Sequence, residues 1–137
     1  MIIPNLMVSN MVRSFTFYRG LLGLSVEIAV SSNRQPLPDT DGSNVAFAIL
    51  SASGGQLMLQ TVDSLRGEHP GLPSRPGFTG TIYFRDLDPE TIVGRADPDI
   101  IVKPVELQWY GMREAYLRDP DGYLVCIAAP GTPAKPA

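Results

Sequence analysis

The sequence contains very little of what disulfides and common metal sites are made from. Cys126 is the single cysteine and His69 the single histidine among 137 residues. One cysteine excludes a disulfide within the chain, and one histidine excludes a site with two His ligands or a Cys/His zinc cluster from one chain. We therefore expect no bound metal ion and no cofactor, unless His69 turns inward or a partner chain supplies ligands.

Basic clusters and long apolar runs are missing as well. The eleven Lys and Arg residues are scattered and the net charge is −3, so no row of phosphates would be neutralised. No segment reaches the ~18 apolar residues of a membrane span, and the first residues lack the basic and apolar regions of a signal peptide. These features predict a cytoplasmic protein that binds neither nucleic acid nor membrane.

The remaining composition fits one domain with a single core, residues 1–137, because 44% of the residues are hydrophobic and 18% charged.

In the first half, alternation predicts a strand over Ile2–Val8. An apolar stripe follows, with capping residues Ser9-Asn10 before it and Gly23 at its end, which predicts a helix over residues 10–22. Three further strands follow, with a Pro- and Gly-rich loop at 32–44 after the first of them: Leu24–Val30, Val45–Leu50 and Gln56–Thr61.

The second half repeats this order after a predicted connecting loop at 63–77. Asp88-Pro89-Glu90 is typical of a helix start, and Pro98 limits that helix to about two turns. The strands are predicted at Thr79–Phe84, Ile100–Val105, Arg113–Leu117 and Tyr123–Ala128. The chain is thus predicted to be an α+β protein of two βαβββ modules, at about 1–62 and 78–129, with a flexible tail at 130–137.

Four segments resemble the vicinal oxygen chelate superfamily, which includes glyoxalase I, extradiol dioxygenases and bleomycin resistance proteins. They are PNLMVSNMVRSFTFYRGLLGL, GGQLMLQ, TIYFRDLD and WYGMREAYLRDPDGYLVCIAAP. The resemblance implies the glyoxalase/bleomycin resistance fold, in which two modules place curved mixed sheets around a cavity, and it implies a homodimer.

The same resemblance bears on metal binding. In metal-dependent members, His and Glu ligands occupy strand positions that fall here on Ile3, Gln60, Thr81 and Cys126. None of these side chains is a His or a carboxylate, and an isoleucine cannot ligate an ion. The resemblance is therefore closest to the metal-free, bleomycin-resistance-like branch.

Alternation along the strands separates a uniformly apolar set from a mixed set that suits a pocket for an organic molecule. The apolar set is Leu6, Val8, Leu57, Leu59, Ile82, Phe84, Val125 and Ile127. The candidate ligand-binding residues are Asn5, Met7, Phe47, Met58, Gln60, Tyr83, Trp109, Tyr110, Arg113 and Cys126. Some alternatives stay open: Phe47 lines the cavity or packs under a helix, Trp109 stacks on a flat ligand or plugs its module, and only one of Arg113 and Glu114 faces the pocket.

The expected function is metal-free binding of a small organic molecule, extending to sequestration of an aromatic or antibiotic-like ligand and hence to antibiotic resistance. The alternative is an enzyme of the same superfamily, either a metal-dependent lyase, isomerase or dioxygenase, or a metal-free enzyme that uses Glu114, Tyr83 or Arg113. No catalytic residue is assigned from the sequence.

Overall fold

The computed structural model describes residues 1–52 and 54–131. The chain divides into two compact units, Met1–Phe78 and a second that begins at Thr79. We call them unit 1 and unit 2. No helix in the described ranges is long and apolar enough to cross a membrane.

Unit 1 contains a four-stranded mixed sheet, sheet 1, with strand order β1-β4-β3-β2. Strand β1 is parallel to β4, and the other neighbours are antiparallel. The elements are β1 (Asn5–Val8), α1 (Met11–Phe15), a π-helical continuation (Thr16–Leu21), β2 (Ser25–Ser31), β3 (Val45–Ala52), β4 (Gly55–Thr61) and α2 (Val62–Glu68).

Unit 2 repeats the topology in sheet 2, with strand order β5-β8-β7-β6 and β5 parallel to β8. Its elements are β5 (Thr81–Arg85), α3 (Pro89–Arg95), a 3₁₀ turn (Pro98–Ile100), β6 (Ile101–Leu107), β7 (Met112–Arg118) and β8 (Leu124–Pro130). The predicted α+β fold with two βαβββ modules is confirmed.

The local signals for helix ends act as predicted. The Asn10 side chain accepts a hydrogen bond from the Arg13 N–H at 3.0 Å, which satisfies one of the free donors that open α1. Gly23 adopts φ +81°, the left-handed conformation that closes many helices. Asp88 caps α3 by accepting from the Thr91 N–H at 3.3 Å. The helix at 10–22 is confirmed in extent, although its second half is π-helical.

Four predicted boundaries differ from the structure. Strand β1 begins at Asn5 and not at Ile2, since Pro4 has no N–H to give to a ladder, and β5 begins at Thr81 and not at Thr79. The predicted loop at 63–77 begins with helix α2, whose cap is Thr61 Oγ1, an acceptor for the Ser64 N–H at 3.4 Å. Strand β8 includes Pro130, the first residue of the predicted tail. Residues 132–137 of that tail lie outside the described residues.

Each sheet has one apolar face and one mixed face, as the alternation predicts. Of the apolar set, only Ile82 is partly exposed, and the other seven side chains are buried. Residues Ala48 and Leu50 of β3, and Ala115 and Leu117 of β7, extend these apolar faces and are fully buried. Burial of these faces provides each unit with a core, because removing apolar surface from water is the dominant favourable term in folding.

Candidate ligand site

The strand register brings predicted site residues of unit 1 together on the mixed face of sheet 1. Gln60 on β4 pairs with Met7 on β1 and with Phe47 on β3, and Phe47 pairs with Val30 on β2. Paired residues project to the same side of a sheet, so these four side chains form one row across it. Asn5 and Met58 form the neighbouring row. Phe47 therefore lies on the mixed face, which resolves the alternative left open by the sequence.

The Gln60 side chain is buried and held at both ends by hydrogen bonds. Its Oε1 accepts from Asn5 Nδ2 at 2.9 Å, and its Nε2 donates to Ser64 Oγ at 2.9 Å and to Glu68 Oε1 at 3.4 Å. Ser64 and Glu68 belong to α2, so the amide joins the sheet to the helix that the sequence did not predict. A buried amide satisfied in this way has a fixed orientation, since breaking any of its bonds would leave a buried polar group unpaired.

A groove of about 880 Å³ lies over this mixed face. Its floor contains Phe47, Met58 and Gln60, with Asn5 at the β1 side. Met7, also a predicted site residue, is buried and is not part of the lining. One wall is the β2–β3 loop and the other is α2, contributing Arg34, Asn44, Asp63, Ser64 and Glu68 among others.

Two residues of the loop wall, Arg34 and Asn44, have left-handed backbones, with φ of 63° and 62°. Asparagine visits this conformation readily, but arginine does so at a steric cost. The turn that holds Arg34 is closed by its N–H donating to the Ser31 carbonyl at 2.9 Å and by the Gln35 N–H donating to Ser31 Oγ at 3.1 Å. The loop wall is thus fixed by its own hydrogen bonds.

Unit 2 carries different chemistry on its mixed face, centred on Glu114 of β7. Its carboxylate is buried and accepts hydrogen bonds from Tyr83 Oη at 2.6 Å and from Tyr110 Oη at 2.5 Å. The bond to Glu114, with burial, raises the pKa of Tyr110 to about 12. Burial, with the bond to Glu114, also raises the pKa of Tyr83. The two phenols therefore stay protonated over a wide pH range and satisfy the buried charge.

Cys126 lies beside this cluster, since it pairs with Tyr83 on β5 and with Tyr116 on β7. The thiol is fully buried, and burial raises its pKa to about 11 although the Tyr116 hydroxyl acts in the opposite direction. A thiol in this state is a poor nucleophile at neutral pH, because nucleophilic attack needs the thiolate. Cys126 acts here as a small buried residue.

Two other predicted site residues of unit 2 lie apart from the Glu114 cluster. Arg113 projects from the apolar face, where it forms ion pairs with Glu90 and Asp88 and donates from Nε to the Pro130 carbonyl at 3.1 Å. Of the pair Arg113 and Glu114, only Glu114 faces the mixed side. Trp109 is 94% exposed and meets the Tyr110 ring edge-on at a centroid distance of 5.3 Å, so it does not plug its module.

The resemblance places the metal ligands of metal-dependent members at Ile3, Gln60, Thr81 and Cys126, and these side chains are poor ligands. Ile3 offers only hydrocarbon, the Gln60 amide is committed to three partners, and the Cys126 thiol is fully buried. Thr81 offers an exposed hydroxyl, a weak ligand alone. Across residues 1–52 and 54–131 no group of three or more His, Cys, Asp or Glu side chains could hold a metal ion. These residues do not fit a resident metal ion.

Comparison with known proteins extends the structural result. A protein of unknown function from Agrobacterium tumefaciens str. C58 is 21% identical, with 94% of this chain and 92% of that chain aligned and a TM-score of 0.68. A glyoxalase/bleomycin resistance protein/dioxygenase from Nocardioides is 21% identical, with 100% and 87% aligned and a TM-score of 0.62. TioX from Micromonospora sp. ML1 is 18% identical, with 93% and 96% aligned and a TM-score of 0.60.

At these identities the likeness concerns the fold alone. No curated protein sequence matches the chain. The model of the Glyoxalase/Bleomycin resistance protein/Dioxygenase superfamily matches residues 3–127, nearly the whole chain. The chain therefore belongs to the glyoxalase/bleomycin resistance protein/dioxygenase superfamily.

Proposed function

We propose that this protein binds a small organic molecule, without a metal ion, in the groove on the mixed face of sheet 1. The observation that carries the proposal is the groove itself, whose volume of about 880 Å³ falls in the size range of small-molecule sites. Its lining combines apolar side chains on the floor with a larger number of polar and charged side chains. Asn5, Phe47, Met58 and Gln60 are the predicted site residues that it contains.

The groove residues have two different roles in binding. Phe47 and Met58 present a flat ring and an adaptable thioether to the apolar body of a ligand. The side-chain amides of Asn5 and Gln60 are fixed by their hydrogen bonds and give the floor a permanent shape. A preformed floor lowers the ordering cost of binding, which is where much affinity is otherwise lost.

Two experiments test this proposal. Native mass spectrometry of protein purified without chelator should show a co-purified organic molecule. Phe47→Ala should weaken binding of that molecule about tenfold or more, because a buried aromatic side chain contributes roughly 1.5–3 kcal/mol. Met58→Ala should weaken it less, and Met112→Ala, the same change outside the groove, should leave it unchanged. Equal affinities for all three variants would contradict the assignment of the groove.

The finer proposal is that the ligand is aromatic or antibiotic-like and that the protein protects by sequestering it. Planar aromatic antibiotics should raise the melting temperature, since a ligand that binds only the folded state stabilises it. Trp109, the single tryptophan, provides an independent fluorescence signal from unit 2. The sequestration proposal fails if neither signal changes at saturating drug.

We also propose that the protein is a homodimer, which rests on its superfamily. Light scattering during size-exclusion chromatography measures the mass directly, against 14.9 kDa for one chain. A single species of monomer mass at micromolar concentration would contradict the dimer.

A second candidate function, acid–base catalysis without a metal ion, is favoured by the Glu114 cluster. A buried carboxylate bonded to two half-exposed phenols provides a base and two proton donors, with each phenol oxygen within 2.6 Å of a carboxylate oxygen. Exchange of a carbon-bound proton of a ketone for deuterium, followed by NMR, would reveal such chemistry, and Glu114→Gln should abolish it. Elemental analysis tests the metal-dependent alternative, in which stoichiometric Fe, Mn, Ni or Zn would contradict the metal-free proposal.

A further inference from the structure

The groove separates opposite charges onto its two walls. Arg34 lies on the β2–β3 loop, whereas Asp63 and Glu68 lie on α2. Within the described part of the chain, none of these three side chains has an ion-pair partner; only Glu68 has a polar partner, Gln60 Nε2 at 3.4 Å. Charges held at a groove without partners are available to a ligand that carries the complementary charges.

The separation of the walls sets the length of such a ligand. Arg34 follows β2 and the acidic residues follow β4, with β3 between these two strands. Neighbouring strands are about 4.8 Å apart, so β2 and β4, the strands that lead into the two walls, are about 10 Å apart. A ligand that reaches both walls therefore carries its charges at opposite ends of an extended body.

The floor between the walls is suited to an apolar body. Phe47 on the central strand β3 and Met58 on β4 lie between Arg34 and the acidic residues, with Val30 at the loop side. The polar side chains of the floor, Asn5 and Gln60, have hydrogen bonds to each other, and Gln60 to Ser64 as well. In the middle of the groove, an apolar segment of a ligand would therefore bind mainly through van der Waals contact with the floor.

We infer that the ligand of this groove is an extended zwitterion with an apolar body. Its carboxylate binds Arg34, whose guanidinium presents paired donors to a carboxylate, and its ammonium group binds Asp63 and Glu68. A short apolar peptide and a long ω-amino acid share this chemistry. The inference rests on the proposed function, because it specifies the ligand class of the same groove.

Calorimetric titration with matched probes tests this inference. The probes are 8-aminooctanoate, octanoate, octylamine and trileucine, which differ in the charge at each end of a comparable apolar body. The zwitterionic 8-aminooctanoate should bind at least tenfold more tightly than octanoate or octylamine. If trileucine binds more tightly still, the inference is supported with a peptide as the ligand; if it binds more weakly than 8-aminooctanoate, an ω-amino acid is supported.

Charge-removing variants show which wall binds which end. Arg34→Gln should weaken binding of 8-aminooctanoate and octanoate at least fivefold and leave octylamine unaffected. The double variant Asp63→Asn/Glu68→Gln should weaken 8-aminooctanoate and octylamine and leave octanoate unaffected. Arg75→Gln, which removes an exposed arginine outside the groove, is the matched control and should change nothing.

The outcomes separate this inference from the proposed function. Equal binding of all probes, insensitive to Arg34→Gln but weakened by Phe47→Ala, overturns the zwitterion and leaves the groove as a binding site. No binding of any probe, with no co-purified molecule in native mass spectrometry, overturns both. The charge-removing variants change exposed side chains and should melt at the wild-type temperature, and thermal melting also checks that Phe47→Ala is folded.

Discussion

The two units have the same topology and the same kind of apolar face, but their mixed faces differ in chemistry. In each unit a parallel pair, β1 with β4 or β5 with β8, joins an antiparallel meander. The row of paired residues across β1, β4 and β3 is Met7, Gln60 and Phe47 in unit 1, and the corresponding row across β5, β8 and β7 is Tyr83, Cys126 and Tyr116 in unit 2. The first row holds a buried amide, and the second lies beside the buried acid Glu114.

The difference shows how one backbone can support separate chemistries. In unit 1 the amides of the floor are satisfied by each other, by the Ser64 hydroxyl and by the Glu68 carboxylate, and the walls of the groove are charged. In unit 2 a buried charge is satisfied by phenols, whose bonds to a carboxylate are stronger than bonds between neutral groups. The topology fixes where side chains project, and the side chains alone decide what each face can do.

The largest predicted effect tests whether the apolar faces are equivalent. Leu50 on β3 and Leu117 on β7 are both fully buried and occupy corresponding strands. Leu50→Ala and Leu117→Ala should each lower the free energy of unfolding by about 2–5 kcal/mol, because each leaves a cavity in a packed core. Urea denaturation measures both changes. A loss below about 1 kcal/mol in only one variant would show that the two faces are not packed alike.

The sequence predicted these faces well because a period of two is a local property. Seven of the eight apolar positions that alternation identified are buried, and the capping residues Asn10, Gly23 and Asp88 marked real helix ends. Glu114 was not among the candidate ligand-binding residues, although it is the centre of the polar cluster in unit 2. The same alternation could have placed it on the mixed face, since its strand pairs antiparallel with the strand of Cys126.

The groove could not be predicted, because its walls depend on tertiary structure. Helix α2 is seven residues long within a segment rich in Pro and Gly, too short to be stable by its own propensity. Its contact with the sheet through Gln60 and Ser64 holds it in place. The charges of Arg34 and Glu68 meet at one groove only through strand pairing, which no spacing in the sequence reveals.

The second prediction exchanges the polar groups of the two faces. Gln60→Glu should cost about 1–3 kcal/mol, since it removes the amide donors to Ser64 and Glu68 and brings a carboxylate close to the Glu68 carboxylate. Glu114→Gln should cost less, because the amide keeps an acceptor for one phenol and can donate to the other. Thermal unfolding at pH 7 compares the two. A greater loss of stability for Glu114→Gln than for Gln60→Glu would contradict this prediction.

The third prediction concerns pH. Since the pKa of Tyr110 is raised from 10.0 to about 12, the folded state holds this proton more tightly than the unfolded state. The associated stability is complete below pH 10 and is lost as the pH rises from about 10 to about 12. Glu114→Gln should move the pKa of Tyr110 back toward 10, and absorbance titration of phenolate measures this shift. Tyr110→Phe identifies which titration step belongs to Tyr110, because a phenylalanine has no phenol to titrate and that step should disappear.

The smallest predicted effect concerns a polar atom buried in unit 1. Ser14 of α1 is fully buried, and its hydroxyl has no hydrogen-bond partner within residues 1–52 and 54–131. Ser14→Ala removes this group and improves helix propensity, so the free energy of unfolding should rise by about 1 kcal/mol.

Thr16→Ala is the control for Ser14→Ala, because the Thr16 hydroxyl is exposed and donates to the Val12 carbonyl at 3.0 Å. Its effect should stay within about 0.5 kcal/mol. Unit 2 offers a contrast in Asp119, a buried polar residue whose carboxylate accepts from two backbone N–H groups. If Ser14→Ala instead destabilises the protein, the hydroxyl makes a bond in solution, and the core of unit 1 contains a satisfied polar group as that of unit 2 does.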